Sequence, residues 1–191
     1  MTVIIVSKSR GHRLKAQVYW IDGPWSGRLA IVARPRGGDW LDDEVRAWKA
    51  AGIDVVVSSL TAEESTEFAL GEEASTCNAH GIRFLSYAIS DRSVPDSRQE
   101  ATQLLSRLAE FLTSGQNVAI HCRQGIGRSG LIAGALLVLG GIAFREAVAT
   151  ISRNRGCEVP ETPEQRKWLV DFANADHPTF GTERAEHSGT S

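Results

Sequence analysis

The stretch VAIHCRQGIGRSG, residues 118–130, runs an apolar strand-like segment directly into a loop of unusual composition. Val118, Ala119 and Ile120 are followed by His121 and Cys122. Residues 123–130 then hold Gly125, Gly127 and Gly130 together with Arg123 and Arg128. An apolar run, Leu131 to Leu139, comes next. The layout reads as a core strand, a tight glycine loop and a buried helix. Such a loop turns its backbone N–H groups toward a helix N-terminus, where an anion binds well.

Outward from this stretch, strand-like and helix-like segments alternate. Residues 2–6, 15–21, 28–33, 53–59 and 82–89 read as strands, the fourth through its valines. A helix is expected over 39–51, with Asp39 as its cap and Gly52 as its stop. Thr61 with Glu64 forms a capping-box pattern opening a short helix, and another helix is expected over about 70–80, ending at Gly81. Ser97 with Glu100 is a second such pattern. It opens a helix to Thr113, with Leu104, Leu105, Leu108, Phe111 and Leu112 at helical spacing. Helices near 144–155 and 163–174 complete the pattern. The reading is α/β: a single domain over 1–175 with a central, largely parallel sheet of four to five strands flanked by helices. The polar, aperiodic residues 176–191 are expected to form a flexible tail.

The composition sets limits on function. A chain of 191 residues suits one well-buried domain. Hydrophobic residues make up 42% and charged residues 23%, as in an ordinary globular protein. A net charge of −2 gives no sign of a nucleic-acid or anionic-membrane partner. The run 131–144 is too short for a bilayer, which needs about 20 residues. Cys77, Cys122 and Cys157 are too few and scattered for a disulfide framework, and no spaced His/Cys set suggests a metal. The expectation is a cytoplasmic chain without cofactor or metal; oligomeric state is not legible.

Cys122 carries the chemistry. An ordinary thiol has a pKa of about 8.5, and a helix N-terminus, inward N–H groups and a guanidinium all favour the thiolate. Full ionisation alone raises the reactive population only some tens-fold, from the few per cent present at neutral pH. The larger contribution must come from holding and neutralising an anionic substrate. Arg128, six positions on, offers a planar fork suited to two phosphoryl oxygens. Ser129 places a hydroxyl near the thiolate. The ring of His121 is expected to hydrogen-bond loop backbone and hold the cysteine in place.

At these residues the chain resembles the cysteine-based protein tyrosine phosphatases, in particular their compact dual-specificity-like branch. HCRQGIGRS, residues 121–129, fits the signature H-C-x-x-G-x-x-R-S after a strand and before a helix. The resemblance implies a phosphocysteine intermediate and no metal. Cys122 would be the nucleophile, Arg128 the phosphate ligand and Ser129 the aid to thiolate departure. The backbone of Arg123, Gln124, Gly125, Ile126, Gly127 and Arg128 would cradle the phosphate.

The leaving oxygen needs a proton, which the family takes from an aspartate on an upstream loop. AISDRSVPD, residues 88–96, offers Asp91 and Asp96. Asp91 with Pro95 fits the compact pattern and is favoured; Asp96 abuts the Ser97 cap. Gln165 matches a glutamine that orients the hydrolytic water, and it fits equally well as the third residue of a T-x-x-Q capping box with Thr162. Arg34 and Arg36 either reach the pocket rim or belong to a solvated loop, the latter favoured. Cys77 reads as a packed small residue.

The expected function is a protein phosphatase acting on phosphotyrosine, and on phosphoserine or phosphothreonine if the pocket is shallow. Its partner would be a phosphorylated protein. The alternatives are a phosphoinositide or RNA 5′-phosphate substrate, and a phosphate-binding module that does not turn over.

Overall fold

The computed structural model describes residues 16–175. The strand expected over 2–6 and the tail 176–191 lie outside the described residues. Five strands form one sheet: β1 Val18–Ile21, β2 Leu29–Ala33, β3 Val55–Ser58, β4 Arg83–Ser86 and β5 Val118–Cys122. Their order is β1-β2-β5-β3-β4, with β1 antiparallel to β2 and every other pairing parallel. The helices are α1 Leu41–Ala50, α2 Ala62–Glu67, α3 Glu73–Ala79, α4 Arg98–Thr113, α5 Gly127–Leu139, α6 Phe144–Arg155 and α7 Pro163–Ala173.

Alternation along the strands divides the core into two layers. Leu29, Ile31, Val55, Val57, Val118 and Ile120 face α4, α5, α6 and α7. Ala30, Val32, Val56 and Ala119 face α1 and α3, where Leu41, Val45, Trp48 and Cys77 close the layer. Helix α5 lies almost wholly within the first layer, with twelve of its thirteen residues buried. Its apolar run is thus a core helix, and no helix among the described residues is long and apolar enough to cross a membrane.

Several boundaries differ from the sequence expectation. The segment expected as one helix over 39–51 begins with a 3-10 turn, Gly38–Trp40, and α1 starts only at Leu41. Asp39 therefore lies inside the turn and caps nothing; the turn's backbone takes the role assigned to its side chain. Gly52 does end α1, with φ +90°. Strand β4 ends at Ser86, shorter than expected, although the Tyr87 and Ile89 N–H groups still bond the Ser58 and Ser59 carbonyls at the end of β3. The Thr61–Glu64 and Thr162–Gln165 capping boxes form completely, whereas Ser97 only accepts from the Glu100 N–H.

The parallel order brings the C-terminal ends of β2, β5 and β3 together. Loops that leave this edge are where ligands bind in open α/β sheets.

Candidate active site

Cys122 ends β5, and five residues later α5 begins at Gly127. The intervening turn is tight. Gly125 has φ +68°, and a Cβ there would lie 2.8 Å from the Val32 carbonyl oxygen, so neither the backbone angle nor the space suits another residue. Arg128 and Ser129 fall in the first turn of α5 and are buried. The Ser129 hydroxyl oxygen is 3.4 Å from the Cys122 sulfur. Burial is the largest influence on this thiol and pushes its pKa up. The Ser129 hydroxyl, the N–H groups of Ser129 and Ile126, and the Arg128 charge together outweigh it and hold the thiol below its ordinary value.

Arg128 is fixed from three directions. Its Nη1 donates to Glu64 Oε2 at 2.6 Å and its Nη2 to Glu64 Oε1 at 2.8 Å, a bidentate pair. Nη1 also donates to the carbonyls of Ile89 and Ser59 at 2.8 and 3.2 Å. Nη2 reaches Asp91 Oδ1 at 3.1 Å. Desolvation works against the guanidinium charge, but Glu64, the Cys122 thiolate and Asp91 outweigh it and raise its pKa.

Glu64 is the site residue that sequence reasoning missed. It was assigned only to the capping box, where Oε2 accepts from the Thr61 N–H at 3.0 Å. The same carboxylate serves Arg128, which lies 64 residues away.

The Arg128 hydrogen bond, followed by the Thr61 N–H, holds the Glu64 pKa below its ordinary 4.5 despite burial. Because the folded value is the lower one, this stabilisation is full above about pH 4.5 and is lost as pH falls through the depressed value. Glu64→Gln leaves a buried guanidinium half-compensated. It should cost on the order of 3 kcal/mol at neutral pH. The deficit relative to wild type should shrink in acid, which urea melts at neutral pH and near pH 3 would read out.

Most of the other expected site residues are brought to one cavity, and one is not. A cavity of about 310 Å³ is walled by Cys122, Arg123, Gln124, Ile126, Gly127 and Arg128 from the motif. Asp91 and Arg92 from the loop after β4, with Glu161 just before α7 and Gln165 in its first turn, complete it. Asp96 is exposed and does not line this cavity. Gln165 is fully buried and serves in two ways: Oε1 accepts from the Thr162 N–H at 3.3 Å, and Nε2 donates to the Ser93 carbonyl at 2.9 Å. It is thus both helix cap and cavity wall, pinning the loop that carries Asp91.

The correction concerns His121. Strand alternation sends its ring to the sheet face opposite Cys122, so it does not hydrogen-bond loop backbone. It packs 5.9 Å from the Trp48 ring, with Nε2 2.8 Å from Glu73 Oε1. That approach is close, but it does not align the ring N–H into a hydrogen bond. Arg34 and Arg36 do not line the cavity, in keeping with the favoured reading of a loop away from the pocket. Arg34 stacks on Phe68 at 3.9 Å, and Arg36 pairs with Glu44 and stacks on Trp40. Cys77 is the inert packed thiol expected, its pKa pushed up to about 12 by burial and then by Glu73.

A family model described as "Tc-R-P: Polymorphic toxin system, DSP-PTPase phosphatase" matches residues 31–142, more than half of the chain. The chain belongs to this phosphatase family. The match runs from β2 through α5, so it includes Glu64, Asp91 and the whole 121–129 motif.

Among curated relatives, the cyclin-dependent kinase inhibitor 3 of Rattus norvegicus is 27% identical over 126 residues, which is 65% of this chain and 59% of that protein. The chain thus aligns with under two thirds of the length of this relative. Among solved structures, the kinase associated phosphatase with its catalytic-site cysteine replaced by serine superposes with a TM-score of 0.77. It is 21% identical and covers 84% of this chain and 96% of its own, a likeness of fold. Tk-PTP in its active form gives a TM-score of 0.67 at 29% identity, covering 82% of this chain and 95% of its own.

Proposed function

We propose that this phosphatase-family domain, spanning 1–175, hydrolyses phosphomonoesters through Cys122, with phosphotyrosyl protein as its leading substrate class. The observation that carries the reading is the convergence of the Cys122 sulfur, the Ser129 hydroxyl, the Ile126 N–H and the Arg128 guanidinium on one point of the cavity wall.

In the proposed reaction the Cys122 thiolate attacks phosphorus in line, and the bond to the leaving oxygen breaks. Asp91 delivers its proton to that oxygen. Arg128 takes two phosphoryl oxygens in its planar fork, while inward N–H groups of residues 123–128 take the rest. Water then attacks the phosphocysteine and gives a proton to the Asp91 carboxylate. The phosphorus–sulfur bond breaks, and the departing thiolate is received by the Ser129 hydroxyl. Gln165, with one amide N–H and a carbonyl lone pair still to offer, is placed to orient that water. The cavity volume lies at the low end of small-molecule sites, which suits a phosphorylated side chain better than a large ligand.

Assay of phosphotyrosyl, phosphothreonyl, inositide and RNA 5′-phosphate substrates tests the substrate class; turnover preferring inositide or RNA would replace it. The acid is tested separately. Asp91→Asn should cost roughly 10²–10⁴-fold on an alkyl or phenyl phosphate with a poor leaving group. The loss should be much smaller on an activated aryl phosphate, whose oxygen leaves without a proton. Asp96→Asn should leave both rates near wild type, since asparagine serves equally well beside a helix start. A leaving-group-dependent loss in Asp96→Asn alone would move the acid to that residue.

A further inference from the structure

We infer that Arg155 is a positioning residue that holds the anion-binding loop with its N–H groups turned inward. The inference rests on the Cys122 chemistry proposed above. Arg155 is the last residue of α6, followed by Gly156 in the left-handed conformation, and lies 30 residues from the loop in sequence. Its Nε donates to the Gly125 carbonyl at 2.6 Å and its Nη2 to the Gln124 carbonyl at 3.1 Å. The guanidinium stacks on the Tyr19 ring of β1 at 3.7 Å, which backs it from the other side. Its remaining nitrogen, Nη1, is buried with no acceptor among the described residues. The hydrogen bonds of this side chain go to the loop.

Two consecutive carbonyls held outward have a defined consequence. A peptide unit is planar and trans, so its C=O and the following N–H point in opposite directions. Fixing the Gln124 and Gly125 carbonyls on Arg155 turns the N–H groups of Gly125 and Ile126 toward the loop's interior. An independent observation agrees: the Ile126 N–H is one of the groups that bond the Cys122 sulfur and hold its pKa down. The chain of contact runs from Arg155 through the Gly125 carbonyl and its peptide plane to the thiolate. The loop needs such a brace. Gly125 is a left-handed glycine with intrinsic backbone freedom, and without Arg155 its flanking peptides are free to turn over. A loop with those peptides reversed presents carbonyl oxygens to an anion and repels it.

The test uses Arg155→Met, which keeps the aliphatic stem, and Arg155→Lys, which keeps the charge and one donor group. Three readouts are taken: the pH dependence of iodoacetate alkylation, followed by mass on the Cys122 peptide; inhibition by inorganic phosphate; and kcat/KM on p-nitrophenyl phosphate. Arg153→Met, removing an exposed neighbour bonded to Thr150, is the control. Arg155→Met should raise the Cys122 thiol pKa by about one unit, the worth of a charge-assisted hydrogen bond. It should weaken phosphate inhibition and lower kcat/KM by about 10–100-fold, the usual range for a group that orients another. Arg155→Lys should lie between, and Arg153→Met should match wild type.

An unshifted thiol pKa in a folded Arg155→Met would reduce Arg155 to a packing residue and overturn the inference, whatever happens to kcat/KM. If thermal melting shows that Arg155→Met does not fold, Arg155→Lys carries the same decision, an unshifted pKa again overturning it. If wild type turns over no phosphomonoester while the thiol pKa still rises in the variants, the loop inference stands and the phosphatase reading falls.

Discussion

Cys122→Ser should abolish turnover and leave phosphate binding in place. The expected loss is on the order of 10⁶-fold in kcat, the scale seen when a covalent nucleophile is removed. Two properties of the sulfur disappear together. A serine hydroxyl is not ionised at neutral pH, and the depressed thiol pKa that the loop provides cannot bring an alcohol within reach. The binding apparatus is made of other atoms. Arg128 remains on Glu64, and the N–H groups of the turn keep their direction, since Arg155 rather than the sulfur holds the Gln124 and Gly125 carbonyls. Tungstate or inorganic phosphate, titrated by calorimetry, should therefore bind the variant within a few-fold of wild type. Chelators added to the wild-type assay should change nothing, because no step of the proposed reaction runs through a metal. Residual activity in Cys122→Ser above about a thousandth of wild type would mean another nucleophile.

Arg128→Lys should be nearly as severe, on the order of 10³–10⁵-fold in kcat/KM, the worth of an arginine set against a transferring phosphoryl group. The charge is kept but the geometry is not. One ammonium cannot reproduce the two terminal nitrogens that bond Glu64, Ile89, Ser59 and Asp91 while also presenting a planar fork to the substrate. Stability should fall too, because both Glu64 oxygens face this side chain in a largely buried setting. The two effects separate in a double variant. Adding Glu64→Gln to Arg128→Lys should lower stability further, since the buried ammonium then loses its counter-charge, and should restore none of the lost rate. Steady-state kinetics and urea unfolding on the same preparations read both. A near-wild-type kcat/KM in Arg128→Lys would remove the phosphate-clamp role.

What the sequence revealed follows the range of the interactions. The strand–loop–helix unit at 118–139 was legible because its logic is local: apolar strand, glycines where the backbone must turn, and an apolar helix to bury. Cys122 and Ser129 are seven residues apart, and their contact follows from that geometry. Asp91 is favoured in the sequence by its place just after a strand and by Pro95 four residues on, and the structure puts it 3.1 Å from Arg128. Gln165 reads in the sequence as either cap or site residue; the structure shows the cap and sets the same amide in the cavity wall against Gly127.

Glu64 and Arg155 were not legible as site residues. Each has a satisfactory local reading, one as the third residue of a capping box and the other as a basic residue in a helix's last turn. Their partners lie 64 and 30 residues away, so only the packed sheet reveals the second use of each side chain. His121 failed for a different reason. Its neighbourhood in sequence suggested the loop, but the two-residue period of a strand places consecutive side chains on opposite faces. His121 and Cys122 are adjacent in the chain and occupy different layers.

The central claim is that a covalent bond forms between phosphorus and the Cys122 sulfur, and a single-turnover trap addresses it most directly. Enzyme in excess is mixed with a phosphotyrosyl peptide, quenched with denaturant at early times, and digested under conditions that spare phosphorus–sulfur bonds. The peptide containing Cys122 should gain one phosphoryl group, transiently, in wild type and not in Cys122→Ser. Phosphate release with no phosphorylated Cys122 at any time, or a phosphoryl group found on a different residue, would contradict the account.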